Sequence, residues 1–393
     1  MFRYMVLALV MSSVVLPDIP DRTVSWDVFE TYDFDGTAKI EDISVSRRGT
    51  DFRVLLSTVS DGAAGIHLLE LDSDGAMMNS TGLSPSAMDD ADWTAAAFLS
   101  GDLIAIAYGS SSVAARLVFL DPGNPENSTD IAISDLYPGA ASIKVTSVEP
   151  SGPGILMAGK AYMLDERDFL FAACLDSMGD VRWKTDMGMY ECDLIRTCLV
   201  PLRDGGCVLS DVPDAFPSSS IPVYRLGPEG DRVWMVNVPL DCDLHASIND
   251  FIETEEGNII LAGSYDPIVP DAFRGLTVCL DPTGRELWRR TDWYLDHTSF
   301  TLIFDSNEQR LALAGWTGLA GEYMMDVHDS DVLIALLQPE EDRIRGYRVE
   351  ADGDQRPFAV YPLGEGEFIV LGEHVPEGSS ETRVFFGRFA SIP

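Results

Sequence analysis

The sequence predicts an all-β fold: a seven-bladed β-propeller of four-stranded antiparallel blades. Three observations predict it. A turn carrying Gly, followed by a strand carrying Trp, recurs along the chain. An apolar strand ending in small residues recurs seven times at nearly constant spacing. Between neighbouring copies there is room for four short strands rich in Val, Ile, Leu and Phe, with Gly, Asp and Pro at the turns.

The Gly-Trp element is clearest in CLDSMGDVRWKTD (Cys174–Asp186), RLGPEGDRVWMVN (Arg225–Asn237) and CLDPTGRELWRRT (Cys279–Thr291), which align without gaps. Leu69–Thr81 keeps the turn and loses the Trp, and Phe119–Ile131 and Leu336–Arg348 are degenerate. The apolar strands end at Ser57, Gly109, Gly159, Ser210, Gly263, Gly315 and Gly372, which are 52, 50, 51, 53, 52 and 57 positions apart. A repeat of this length built from four strands is a propeller blade, and seven copies give seven blades. Blades converge on the axis, so inner strands are expected to need Ala and Gly, while outer strands have room for Trp. The last copy stops before its outer strand, at Pro393. Thr23–Tyr32 resembles an outer Trp strand and is expected to complete that blade by pairing with Val384–Phe389. The ring is then closed by an N-terminal strand, which removes two open sheet edges.

These motifs resemble those of exported bacterial β-propeller repeat proteins, the PQQ-like and outer-membrane-assembly-type propellers. The resemblance covers nearly the whole chain after its leader. It implies a blade rather than a chemistry. Asp281-Pro282-Thr283-Gly284 is one residue shorter than the PQQ-type turn, and no adjacent Cys-Cys pair occurs.

Composition narrows the partners. The 393 residues include 27 Lys+Arg against 64 Asp+Glu, a formal net charge of -37. Phosphate backbones need a basic face, so nucleic acid is not an expected partner. At 46% hydrophobic residues the chain can bury a sizeable core. Residues 1–20 read as an export signal: Arg3 opens it, Tyr4 to Val10 is apolar, and Val10-Met11-Ser12 offers a small-residue cleavage pattern. The apolar run is short of the roughly 20 residues that span a bilayer. Residues 21–393 are expected to form a single propeller domain, secreted or periplasmic, monomeric and not inserted in a membrane.

An exported chain with six Cys permits disulfides. Cys192 and Cys242 sit in similar contexts, Glu-Cys-Asp-Leu and Asp-Cys-Asp-Leu, in adjacent repeats, and are the candidate pair. Cys174, Cys207 and Cys279 fall in apolar strand patterns and read as buried thiols.

Four of the five His, at 245, 297, 328 and 374, read as loop residues on the face where inter-blade loops gather. His245 and His297 lie one repeat apart, flanked by Asp241, Asp243 and Asp296. A His pair with carboxylates suits a transition metal; hydrogen-bonded loop histidines explain the same residues without one. Glu322, Asp326, Asp329 and Asp331 offer oxygens for Ca²⁺, and the turns Tyr32–Thr37 and Glu350–Gln355 are acidic, as ordinary turn chemistry also is. Tyr190, Tyr265, Tyr294, Trp316 and Tyr323 form a candidate ligand face for stacking sugar or peptide. No Gly-x-Ser-x-Gly, Walker loop or His-Glu-x-x-His occurs. The expected function is non-enzymatic binding of a protein, peptide or glycan through the loop face, or an envelope scaffold. The alternative is a metal-dependent hydrolase or oxidoreductase at the channel mouth.

Overall fold

A computed structural model describes residues 22–390, apart from 33–38, 61–62, 84–87, 89–90, 100–102, 111–113, 125–127, 153, 165–167, 190–193, 214–219, 240–245, 266–273, 292–297, 306–310, 321–326, 339–342, 365–366 and 380–381. The expected leader, residues 1–20, lies outside the described residues. The strands assemble into seven sheets: blades 1 to 7 span 39–82, 93–132, 140–189, 194–239, 246–290, 298–350 and 354–390. Within each blade, consecutive strands pair antiparallel from the innermost to the outer strand. This is the predicted seven-bladed propeller. The seven apolar segments of the sequence are the second strand of each blade, as in Ile259–Tyr265, where every residue is buried.

Burial of both faces explains those unbroken apolar runs. Seven apolar clusters occupy the described structure, one in each gap between neighbouring blades. Cys174, Cys198, Cys207 and Cys279 are free thiols buried in these gaps.

The Gly-Trp element recurs because each Gly seats a side chain of the preceding blade. Gly230 has φ +78°, and a Cβ there would lie 2.6 Å from the Trp183 ring. Gly284, at φ +85°, faces Trp234 in the same way at 3.0 Å. Where the preceding blade lacks the Trp, another apolar side chain takes the seat: Ile131 at Gly179, and Phe386 at Gly75 across the ring closure. Trp234 also donates its indole N–H to the Pro282 carbonyl of that same turn, at 3.0 Å.

The small residues that end the apolar runs, inside strands that continue beyond them, have a more local cause than convergence on the axis. In blades 3, 5 and 7 the innermost strand carries a β-bulge opposite Gly159, Gly263 and Gly372. The bulge pushes a backbone carbonyl toward the Gly, so that a Cβ at Gly263 would lie 1.9 Å from the Ser247 oxygen. The residues of this inner level are spaced by the repeat, at Thr146, Thr197, Asn249 and Thr301. They stitch blade to blade around the axis. Thr146 bonds Thr197 at 2.8 Å, Asn249 donates to the Phe300 carbonyl at 2.7 Å, and Thr301 donates to the Pro357 carbonyl at 2.8 Å.

Ring closure follows the expectation and adds to it. Val28–Tyr32 pairs antiparallel with Arg383–Ala390 as the outer strand of blade 7. Just before it, Arg22–Ser25 pairs parallel with Arg343–Glu350 and gives blade 6 a fifth strand. The N-terminal segment therefore clasps two blades rather than completing one. Trp26 lies between the two strands, in the notch left by Gly387, where a Cβ would meet the indole at 2.2 Å.

Candidate binding face at the closure seam

The second strands run toward the face that carries the loops between blades. Of the five aromatics expected there, Trp316 lies within the second strand of blade 6, Leu311–Ala320, half-buried, with the Arg356 guanidinium of blade 7 over its ring at 5.6 Å. Tyr265 does not face solvent. Its strand runs through residue 265, the side chain is only 7% exposed within the cluster between blades 4 and 5, and its hydroxyl donates to the Thr291 carbonyl at 3.4 Å. Tyr190, Tyr294 and Tyr323 lie outside the described residues. So do His245, His297, Asp241, Asp243 and Asp296, and the candidate disulfide pair Cys192 and Cys242. Among the described residues no group of three or more His, Cys, Asp or Glu is placed to hold a metal.

Besides Tyr265, four residues read as parts of loops belong to strands: His328, Asp329 and Asp331 lie in Val327–Gln338, and His374 in Glu367–Val375. Asp331 is nearly buried, with Arg348 donating to it through Nε at 2.7 Å and Nη2 at 2.6 Å. Burial pushes its carboxyl above the ordinary range, against the pull of Arg348. His374 is paired across the sheet with Gln355.

His374 stands at the junction of blade 6, blade 7 and the N-terminal clasp. The acidic turn 351–353 is filled from inside by Gln355, whose carboxamide nitrogen donates to the carbonyls of Ala351 at 3.2 Å and of Gly353. Asp354 accepts from the Ser330 backbone N–H at 2.8 Å. Phe29 meets the His374 ring edge-on at 5.4 Å and stacks on Phe385 at the same centroid distance. These elements surround a cavity of about 520 Å³, lined by Trp26, Phe29, Glu30, Thr31, Ala351, Asp352 and His374. A second cavity, of about 270 Å³, lies in the axial channel. It is lined by residues of the innermost strands, among them Ile43, Ser44, Val148, Ile303, Phe358 and Tyr361, and Glu149 is the one carboxylate among the described residues of its lining.

Burial holds the His374 imidazole below its ordinary range, and nearby Arg383 adds to that; Asp354 and Asp352 pull the other way without prevailing. A group whose folded pKa is depressed stabilises the fold above its unfolded value, about 6.5 for His, and that stability is lost as pH falls toward the folded value. Between pH 7.5 and 5 the urea midpoint of the native chain is therefore expected to fall further than that of His374→Phe. Parallel curves for the two proteins would show that the imidazole carries none of the acid sensitivity.

The missed feature is the clasp's role in building a site. The signal for it lies in Trp26 and Phe29, the first just before and the second within the strand that completes the ring.

No protein-family model matches the sequence, and no curated protein matches it. Solved structures do. A polysaccharide lyase, Uly1, is similar at 9% identity and a TM-score of 0.53, over 89% of this chain and 90% of that one. A puromycin hydrolase is similar at 11% identity and a TM-score of 0.51; the match takes in 90% of this chain and 53% of the hydrolase. The β-propeller domain of the Trilobed protease from Pyrococcus furiosus matches at 11% identity and a TM-score of 0.49, over 91% of this chain and 98% of that domain. At these identities the likeness is one of fold.

Proposed function

We propose that this chain is an exported, non-enzymatic binding propeller that captures a protein, peptide or glycan on its loop face. The observation that carries the reading is the chemistry of the two cavities. Among the described residues the axial cavity is lined mostly by aliphatic and aromatic side chains over polar backbone, with Glu149 as its carboxylate and no second titratable carboxylate or His to pair with it, which is a poor setting for acid–base work. The loop face at blades 6 and 7 instead offers an aromatic ring under a guanidinium, Trp316 with Arg356, beside an aromatic cavity with an acidic rim. Residues 1–20 would deliver the chain across a membrane and leave 21–393 as the working domain.

The test uses purified residues 21–393 on glycan and peptide arrays, with hits followed by calorimetry. Trp316→Ala is expected to weaken the principal hit at least tenfold, and Trp316→Phe, which keeps a ring at this half-buried strand position, to weaken it less. Thermal unfolding with Ca²⁺, Zn²⁺, Mn²⁺ and EDTA supplies the opposing outcome. A metal at 100 times its dissociation constant adds about 2.7 kcal/mol. A rise of that kind, lost in the His245→Ala, His297→Ala double variant and accompanied by turnover on a hydrolase panel, would overturn the binding reading in favour of a metal-dependent enzyme.

A further inference from the structure

Two residues that line the seam cavity, Trp26 and His374, carry buried polar atoms without a hydrogen-bond partner. His374 is 6% exposed, and its Nδ1 is buried without a hydrogen-bond partner. A neutral imidazole has one N–H and one lone pair; with Nδ1 unpartnered, we take Nε2 to carry the proton and Nδ1 the lone pair. Trp26 lines the same cavity, and its indole N–H is likewise buried and unpartnered. Each such group forgoes a hydrogen bond that a ligand could restore. Both belong to the clasp region, where three separate pieces of chain meet, so neither is an accident of one loop.

The complement of this lining is specific. A lone pair and an N–H donor together call for a group that donates and accepts at once, as a hydroxyl does. Glu30 and Asp352, both exposed, add carboxylate acceptors at the rim. Trp26 and Phe29 supply aromatic surface whose electron-rich faces attract weakly polarised C–H groups. An ammonium ion would satisfy the carboxylates and the imidazole but has no acceptor for the indole N–H. An anion would meet two carboxylates on a chain of net charge -37. A molecule with several hydroxyls on one side and C–H groups on the other answers every lining group. The volume, about 520 Å³, falls within the roughly 300–1,000 Å³ of small-molecule clefts.

We propose that the closure seam is a binding site for a neutral sugar residue, held by His374 Nδ1, the Trp26 indole N–H and the Glu30 and Asp352 carboxylates against the rings of Trp26 and Phe29. The proposal rests on the reading that the loop face binds, and it names the ligand class and the place. A sugar seated there would bridge the N-terminal clasp to blades 6 and 7, so occupancy would tighten ring closure.

The experiment is saturation-transfer NMR and calorimetry on residues 21–393 with cellobiose, maltose and chitobiose as neutral probes, and glucuronate and ethanolamine as charged ones. At least one neutral saccharide is expected to bind, with glucuronate and ethanolamine at least tenfold weaker. Trp26→Phe keeps a ring in the notch and removes the N–H; His374→Phe keeps a ring against Phe29 and removes the lone pair. Each is expected to weaken the sugar at least tenfold. Glu30→Gln and Asp352→Asn sit at exposed positions that do not threaten folding, and are expected to weaken it about threefold. A bound saccharide should also slow amide exchange in Val28–Tyr32. Binding of saccharides that all four variants leave unchanged and Trp316→Ala abolishes would overturn the seam site while upholding the binding face. Failure of every neutral saccharide to bind the native chain would overturn the sugar assignment, leaving the face to protein or peptide. Tighter binding of glucuronate or ethanolamine would overturn the assignment as well.

Discussion

Gly230→Ala is expected to destabilise the protein by about 2–5 kcal/mol, far more than an alanine substitution at an ordinary turn glycine. Two separate costs meet at this residue. Its φ of +78° lies in the left-handed region, which costs an L-residue about 1–2 kcal/mol. The added methyl would stand 2.6 Å from the indole of Trp183, itself only 8% exposed. Overpacking of that kind costs about 1–3 kcal/mol. The ring has little room to retreat, because it is enclosed by the cluster between blades 3 and 4. Thr185, two residues beyond Trp183, also donates to the Gly230 carbonyl and fixes the turn against the same strand.

The structure contains its own control. Gly49 has φ +67°, and an added methyl there would meet nothing within 4 Å, so Gly49→Ala carries the conformational cost alone, about 1–2 kcal/mol. Urea midpoints for both variants separate the two contributions. In a Trp183→Ala background the Gly230→Ala increment should shrink to the Gly49 value, since contacts that share a partner are not additive. Equal losses at Gly230 and Gly49, or an undiminished increment without Trp183, would mean that the Gly-Trp element is a turn preference and not an inter-blade lock.

This lock explains why the fold was legible in the sequence. Every blade must bury both faces and accept its neighbour at the same height, so the same residue types return at the same interval. Gly230 and Gly284 report a tooth-in-socket contact, and Gly159, Gly263 and Gly372 report a bulge. Both constraints act through backbone geometry that favours Gly, although in blade 1 the corresponding bulge stands opposite Thr58 and Ser57. The candidate site had no such periodicity to announce it. Tyr265 and His374 read as loop residues because they follow the small residues that end the apolar run, yet the strands continue to Tyr265 and to Val375. The seam is built once, from residues near both ends of the chain. Its parallel strand on blade 6 has no counterpart in any other blade among the described residues, so no internal comparison of repeats could reveal it.

Trp26→Ala should be the second most damaging of these changes, at about 2–4 kcal/mol. Full burial of a Trp lost to alanine costs about 3–5 kcal/mol, and Trp26 is half-buried. Its ring contacts Phe29 at 5.5 Å and meets Phe385 and Phe389 edge-on, each at 5.7 Å. Phe385 and Phe389 are fully buried, so removal of the indole opens a void over the core between blades 6 and 7. The damage should also be regional. Trp26 pins the point where the N-terminal segment passes from the edge of blade 6 to the edge of blade 7, and losing it frees both pairings together. Amide exchange in Val28–Tyr32 and Arg383–Ala390 is therefore expected to accelerate, while the third strand of blade 3, Phe169–Leu175, keeps its protection. Gly387→Val approaches the same contact from the other side, since its Cβ would lie 2.2 Å from the indole, and it should reproduce both the loss of stability and the exchange pattern. A uniform rise in exchange across all seven blades would instead mean that the ring opens as one cooperative unit, and that the clasp holds no more of its stability than any other inter-blade gap.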